Sequence, residues 1–528
     1  MTKLLINNIK IDLDDDESVA LAKAKSLLKK ERLNANNFKL SIFKRSIDAR
    51  DKNRILLVYT ILASTDDDIK LSSSANVKPF DDVEINCQVG QDPLFERPIV
   101  VGMGPAGMFC ALLLAENGYR PIIIDRGDNV KERTKALERF VLTGELDVES
   151  NVQFGAGGAG TFSDGKLTTR INDPKCNYIL KKLVDFGAPK EILTKAKPHI
   201  GTDILTVVVQ NILERIEELG GQVIYRCRMD NFEKCYDHID VMTTKGNYKT
   251  NVLVMALGHS ARDTYRMLLS HNLVIEPKPY SVGVRVEHLQ KDIDAALYGK
   301  YAGHHKLGAG EYNLSDTNGR GVYTFCMCPG GEVVPATSME GGVCVNGMSK
   351  FARDGLNANC AVNVSVNKDD YGNNPYQAIE FQEALERKAF VAGGSNYFAP
   401  IQLMGDFLDG KVIHLPSRIL PTYAGGDRTT VTDLNAILPD FISQRLKEGF
   451  IIFDKRINGF AVKDAVLSGI ETRTSAPIRI MRDENMNAIA NPYIYPCGEG
   501  AGYAGGIMSS AVDGINVALS IINKYKPN

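Results

Sequence analysis

At 528 residues the chain is long enough for about two to four domains of roughly 150 residues each, so a single small module is excluded. Its 44% apolar and 24% charged residues are ordinary for globular proteins and exclude a wholly disordered or fibrous chain. With 62 basic and 64 acidic residues the net charge is −2, which argues against a globally basic nucleic-acid binder.

Residues 1–90 read as a small α+β domain. Residues 4–11 alternate as a strand, DLDDDES puts acids ahead of a lysine-rich helical run (19–33), and FKLSIFKRSI (38–47) and ILLVYTILA (55–63) read as two further strands. SSSANVKPFDD (72–82) reads as a loop. Residues 97–127 then give a β–turn–α–β unit: the buried run RPIVV, the break GMGPAG, the helix MFCALLLAENG, and a second buried run in YRPIIIDRG. A polar helix follows, then the glycine-rich NVQFGAGGAGTFSDGKL (151–167), a helix near 176–186 and an amphipathic helix at 203–219. QVIYR (222–226) is a strand, 229–236 and 238–244 suggest a hairpin, and NVLVMALG (251–258) is another buried strand. Strands and long loops alternate from about 276 to 470, and residues 493–525 read as strand, glycine loop, helix.

The ten cysteines are scattered without any C-x-x-C, which points to a reducing cytoplasm and not to a disulfide scaffold. The first residues, MTKLLINNIKIDLDDDES, lack a secretory apolar core, and no apolar run reaches 18 residues, so a cytoplasmic chain without membrane contact is expected.

G-x-G-x-x-G occurs three times, at Gly102/Gly104/Gly107, Gly155/Gly157/Gly160 and Gly500/Gly502/Gly505. The string alone is weak, but the first copy lies between a strand and a helix, with a second strand ending in Asp125. There Gly102 suits the tight turn, Gly104 the approach of a pyrophosphate and Gly107 close helix–strand packing. The helix start, at Pro105, Ala106 and the two residues after them, offers the free N–H groups of all but the proline, and Asp125 is placed to accept from ribose hydroxyls. The other two copies lack a βαβ unit and suit loops that approach the same ligand closely.

The order GxGxxG–acid, then ALG (256–258), then GEG (498–500) resembles the FAD module of glutathione-reductase-like flavoproteins, with Glu499 standing where that pattern has Asp. The strings VQFGAGGAGTFSDGKL, KPHIGTD, ALGHSARD, VYTFCMCPGG, ETRTSAP and GEGAGYAGGIMSSA, spread from about 97 to 520, resemble a bacterial family of FAD-dependent dehydrogenases of unassigned substrate. The resemblance implies an α/β fold. A Rossmann-like FAD module at 95–280 and 471–528 is interrupted by a mixed α/β substrate domain at 281–470 and preceded by the N-terminal α+β domain. It also implies FAD, which is read as non-covalent because the sequence shows no specific attachment signal. The candidate cofactor contacts are Gly102, Gly104, Pro105, Ala106, Gly107, Asp125, Arg126, Gly157, Gly158, Phe162, Ser163, Gly165, Lys166, Leu167, Met229, Ala256, Gly258, Gly498, Glu499, Gly505, Gly506 and Ile507.

Flavin chemistry belongs largely to the cofactor, so candidate catalysts are flavin neighbours. Lys166 suits an anionic reduced ring or an acidic substrate; its plainer reading is a surface lysine after a turn. His259 suits proton transfer, against a plainer reading as a packed histidine. Cys326 and Cys328 form C-x-C on one strand face and are a candidate redox pair, although that geometry strains a disulfide; two core-filling thiols are the plainer reading. His304 and His305 would point apart in a strand, and no metal site is expected. Arg285, Arg473 and Arg479 are candidate anchors for a carboxylate or phosphate, against a plainer reading as structural ion-pair partners or solvated charges. The basic segment KRSIDARDKNR (44–54) is a candidate protein-contact surface whose plainer reading is a solvated hairpin.

The expected function is an FAD-dependent oxidoreductase moving a hydride between flavin N5 and a small molecule, with NAD(P)H a candidate transient donor. Two alternatives stay open: a tRNA-modifying flavoprotein, disfavoured by charge and by the lack of an aromatic–basic stripe, and a non-catalytic FAD-binding redox partner.

Overall fold

Residues 2–69, 75–81 and 85–527 are described by a computed structural model. Five short strands pair in parallel in the order Ile494–Pro496, Leu253–Met255, Ile99–Val101, Ile122–Ile124, Gln222–Ile224. The first four are buried throughout, which is why they read as continuous apolar runs and not as alternation. Counted along the chain the order is 3-2-1-4-5, so the winding reverses between Ile99–Val101 and Leu253–Met255. In open α/β sheets the ligand crevice lies outside the carboxyl ends of the strands at such a reversal, here beside the loops that follow these two strands.

Alternate residues serve the two faces of this sheet. Val100, Ile123 and Val254 join a core with helices Pro105–Glu116, Thr202–Glu218 and Ile507–Lys524. Pro105–Glu116 is apolar on all sides because it is enclosed by those neighbours. A Cβ on Gly514 would lie 2.1 Å from the Ala106 carbonyl oxygen, so helices Pro105–Glu116 and Ile507–Lys524 cross in backbone contact. On the other face Ile99, Ile124 and Leu253 meet Phe232, Ile239 and Val241 of an antiparallel meander, Met229–Lys234, Ile239–Thr243 and Gly246–Thr250. The hairpin was legible. Its third strand, GNYKT, was not, because this outer strand is almost wholly exposed or half-buried and carries no apolar pattern.

A seven-stranded sheet runs Ser315–Asp316, Val322–Cys328, Asn357–Val366, Tyr280–Leu289, Val466–Glu471, Ala399–Leu403, Thr429–Val431. Val282, Val284, Val286, Cys360, Val362 and Val364 bury one face under helices Pro375–Ala392 and Asp440–Asp454. The opposite face carries Ser281, Gly283, Arg285 and Glu287 beside Asn359, Asn363 and Ser365, in matching register. Most of these polar groups are buried as well. The two sheets are joined at loop 151–167: Asp164 binds Ser349 and Arg353, and Gln153 Nε2 donates to the Ala336 carbonyl at 3.2 Å.

The N-terminal residues form a four-stranded antiparallel sheet, Lys39–Asp48, Leu56–Thr65, Thr2–Asp12, Val77–Pro79, with helix Glu17–Lys30 across it. Asp16 caps that helix, and Ala20, Ala24 and Leu28 bury its inner stripe. The loop expected at 72–82 instead contains strand Val77–Pro79, too short to show a period; residues 72–74 and 82 of that stretch lie outside the described residues. Part of the basic segment 44–54 is used within the chain: Arg45 N–H donates to the Thr194 carbonyl at 2.6 Å, and Ala196 N–H donates to that of Arg45 at 2.8 Å. Among the described residues no helix is long and apolar enough to cross a membrane.

Candidate cofactor-binding crevice

The glycines at the crevice fall into two sets. Gly102 has φ +105, and a Cβ there would lie 2.2 Å from the Ala256 carbonyl oxygen; one on Gly107 would lie 1.9 Å from that of Gly102. Gly498 and Gly500 are similarly required, the first against Ala106 Cβ at 2.5 Å and the second against the Gly258 carbonyl oxygen at 2.5 Å. These four let the turn, the ALG loop and the GEG loop press together. Gly104 is different: its φ is −73, and its Cβ would meet only Gly158 Cα at 4.0 Å. On Gly258, Gly505 and Gly506 a Cβ would meet nothing within 4 Å. At Gly104, Gly505 and Gly506 neither packing nor a positive φ calls for glycine, so they suit a ligand lying against bare backbone, whereas Gly258 at φ +71 needs glycine for its own backbone.

Helix Pro105–Glu116 starts at Gly104 and helix Ile507–Lys524 at Gly506, and neither start has a side-chain cap. A Cβ on Gly160 would sit 3.2 Å from Ile507 Cγ1 and 3.8 Å from Pro105 Cγ, which places both first turns at one spot. Two helix starts, each with uncapped N–H groups and a partial positive charge, make that spot suited to a dianionic pyrophosphate.

Three side chains hold the surrounding loops. Asp125 Oδ2 accepts from Met103 N–H at 2.9 Å, and Oδ1 accepts from Gly127 and Gly155 N–H at 2.8 and 3.0 Å. Three of its roughly four acceptor sites are thus committed to backbone. The expected ribose acceptor is first a tie between the turn, the second strand and the glycine loop. Arg133 is fully buried and donates to the carbonyls of Asn151, Val152, Gly155, Ala156 and Gly158 at 2.6–3.4 Å, with its guanidinium 4.8 Å from the Phe162 ring centre. Sequence reasoning missed it: KERTKALERF reads as a polar helix, and nothing in it separates Arg133 from its exposed neighbours. The Tyr265 hydroxyl lies 2.7 Å from the Gly258 carbonyl oxygen and 3.0 Å from that of Gly500, joining the two late loops.

Among the candidate catalysts, Lys166 faces Glu311 at 3.8 Å, and Glu311 also meets Lys197 and Arg353. Ser163 closes a turn by donating to the Gly160 carbonyl at 2.6 Å. His259 Nδ1 is 2.8 Å from Ser260 Oγ; burial, then the cations of Arg473 and Arg262, hold its pKa at about 3, so the ring is neutral across the physiological range. Burial pushes Glu499 up to about 7 against the pull of Lys278. Arg126 is held by Glu149 and Asp263 over the Phe154 ring, while Leu167 and Met229 are buried in apolar cores. Arg285 pairs with Glu471 and Arg473 with Glu386, both at 2.8 Å, while Arg479 Nε donates to the Gly502 carbonyl. His304 and His305 lie in a turn, not a strand, and their rings stack at 4.6 Å. No metal cluster was foreseen, yet Cys235, His238 and Asp240 bring ligating atoms within 4.8 Å on the meander, away from the crevice.

Residues 279–474, which carry all seven strands of the second sheet, match a family model described as FAD-dependent protein, C-terminal domain-like. Residues 1–64 match a domain of unknown function, DUF8436. A Clostridium beijerinckii protein, described as uncharacterized, is 46% identical over 530 residues, covering 98% of both chains. The chain belongs to an FAD-dependent protein family. Among solved structures it is similar to halogenase PltM in complex with ethyl mercury and mercury (11% identical, 82% of this chain and 71% of that one, TM-score 0.39). It is also similar to CtdE in complex with FAD (10% identical, 81% and 84%, TM-score 0.30).

Proposed function

We propose that this family member is an oxidoreductase that binds FAD non-covalently across the crevice and acts on a small molecule. The observation that carries the reading is the meeting of two uncapped helix starts at the point where the winding of the parallel sheet reverses. The two starts at Gly104 and Gly506 would hold the pyrophosphate, and Glu499 the ribityl chain. Loop 151–167, braced by Arg133, would lie against the ring. This is the glutathione-reductase-type module, with 281–470 as the substrate domain and 1–90 as an added domain.

FAD, when bound, supplies reversible two-electron chemistry. The chain's own contribution is to bind, orient and manage protons. Glu499, with its pKa near neutrality, holds or releases a proton at its carboxyl. His259, neutral at pH 7, serves as a hydrogen-bonding group and not as an acid. The buried polar face with Ser281, Arg285 and Asn363 supports the site from the side of the second sheet. NADH or NADPH is the proposed electron donor. Anaerobic addition of each to the FAD-loaded protein tests this: loss of the oxidised-flavin absorption band supports it. A band that persists with both nucleotides and with small-molecule donors favours a non-catalytic redox partner.

A further inference from the structure

The strand Val322–Cys328 ends in Cys326-Met327-Cys328. Simple alternation would put both thiols on one face, but the register breaks the alternation: Phe325 lies opposite Ala361 and Cys328 opposite Asn359, three steps against two. One residue is therefore extra, which is a β-bulge. Cys326 takes the unusual conformation, with φ +44, a region that residues with a Cβ seldom enter. Such a conformation persists only where the surroundings fix it. Here the fixing is visible: the buried Arg285 donates through Nη1 to the Cys326 carbonyl at 3.1 Å and through Nε to Glu471 at 2.8 Å.

The bulge sets the two sulfurs in different surroundings. Cys328 is fully buried; its single S–H donates to the Cys326 carbonyl at 3.3 Å and has the Cys326 sulfur as its alternative acceptor. Cys326 stays partly exposed. The S–H of Cys328 first, and then the charges of Arg285 and Lys166, favour a thiolate on Cys326 against burial and Glu471; the same pairing and burial hold the proton on Cys328. Among the described cysteines whose pKa is shifted, every other one moves upward. A thiol on a half-buried residue, near two cations and beside a second thiol, is the setting of a reactive cysteine and not of core filling.

We propose that Cys326 and Cys328 are a redox-active thiol pair, with Cys326 the attacking sulfur and Cys328 the resolving one, and that its substrate is a disulfide. The Cys326 thiolate attacks a substrate disulfide R–S–S–R; an S–S bond to R forms and one RS⁻ leaves. Cys328 gives up its proton to that thiolate and attacks the Cys326 sulfur, releasing the second RS⁻, which takes a proton from water. Two electrons pass from the pair to the substrate, which becomes two thiols, and the protein holds a Cys326–Cys328 disulfide. A dithiol reductant such as dithiothreitol returns it to the starting state. None of these steps rests on the flavin reading.

The test uses the full chain, reduced with dithiothreitol, desalted anaerobically, and exposed to glutathione disulfide with and without FAD. It is then quenched in acid, alkylated and mapped by mass spectrometry. The expected result is that the peptide holding both residues loses both alkylation sites together and appears two hydrogens lighter, reversibly, whether or not FAD is present. Cys328→Ser should stop at a glutathione mixed disulfide on Cys326, and Cys326→Ser should form neither product. In the native protein at pH 7, Cys326 should alkylate about tenfold faster than the other thiols. In Cys328→Ala, which removes the donor, the midpoint of its rate-against-pH profile should move up. Absence of the internal disulfide in the wild type under excess glutathione disulfide, or a Cys326 no faster than the other thiols, overturns the proposal. Loss of FAD binding with the disulfide intact would count against the flavin reading alone.

Discussion

Gly104→Ala separates a glycine kept for a ligand from one kept for the fold. A Cβ at this position has one neighbour, Gly158 Cα at 4.0 Å, an ordinary van der Waals distance, and the backbone at φ −73, ψ 178 is open to any residue. Alanine is a poorer helix cap than glycine by up to about 1 kcal/mol. The narrower unfolded ensemble returns about 0.4–1 kcal/mol. The stability of the FAD-free protein should therefore change by less than about 1 kcal/mol. Pyrophosphate approach should suffer far more: losing one or two charge-assisted hydrogen bonds, at about 1.5–3 kcal/mol each, weakens FAD binding by roughly 100-fold. Gly107→Ala is the contrasting control, because its Cβ would sit 1.9 Å from the Gly102 carbonyl oxygen and should destabilise the fold itself. Circular-dichroism melts of the FAD-free proteins and calorimetric titration with FAD read the two quantities. Gly104→Ala binding FAD within threefold of wild type, or melting as low as Gly107→Ala, would refute the reasoning.

Asp125→Asn should lower the stability of the FAD-free protein by about 2–4 kcal/mol, since one amide NH₂ would then face backbone N–H donors; a denaturant titration without FAD checks it, and no change would return the residue to a ribose-only role. Arg133→Lys keeps the charge but cannot span five carbonyls, so loop 151–167 should become the first site of limited proteolysis; an unchanged cleavage pattern would contradict the brace. Glu499 should make stability pH-dependent. Its folded pKa is raised to about 7 from 4.5, so the folded state keeps a proton that the unfolded state has lost between those values. That contribution is fully present below about pH 4.5 and is lost as pH rises through 7. The stability of the FAD-free wild type minus that of Glu499→Gln should accordingly fall between pH 4.5 and 7.5; a flat difference would sink the assignment.

Local patterns made much of the fold legible. Buried runs such as III (122–124) could be read because a parallel strand covered on both faces has no alternation to lose. The meander's outer strand and Val77–Pro79 were hidden, since one is polar and the other too short for a period. The glycine motif pointed to the turn, but only coordinates distinguish Gly104 from Gly107, because the difference lies in what a Cβ would touch. Arg133 was illegible: its burial depends on carbonyls turned inward by a loop some twenty residues away. The C-x-C motif was visible, whereas the bulge that sets its two sulfurs apart is a property of register with a strand about thirty residues on.

The central claim is that the crevice holds FAD, and the most direct test is the cofactor content of the purified wild-type chain after incubation with FAD and desalting. The account predicts a yellow protein with about one FAD per chain, released intact by acid or heat denaturation as a non-covalent cofactor is. A colourless protein that retains no flavin after incubation would contradict it.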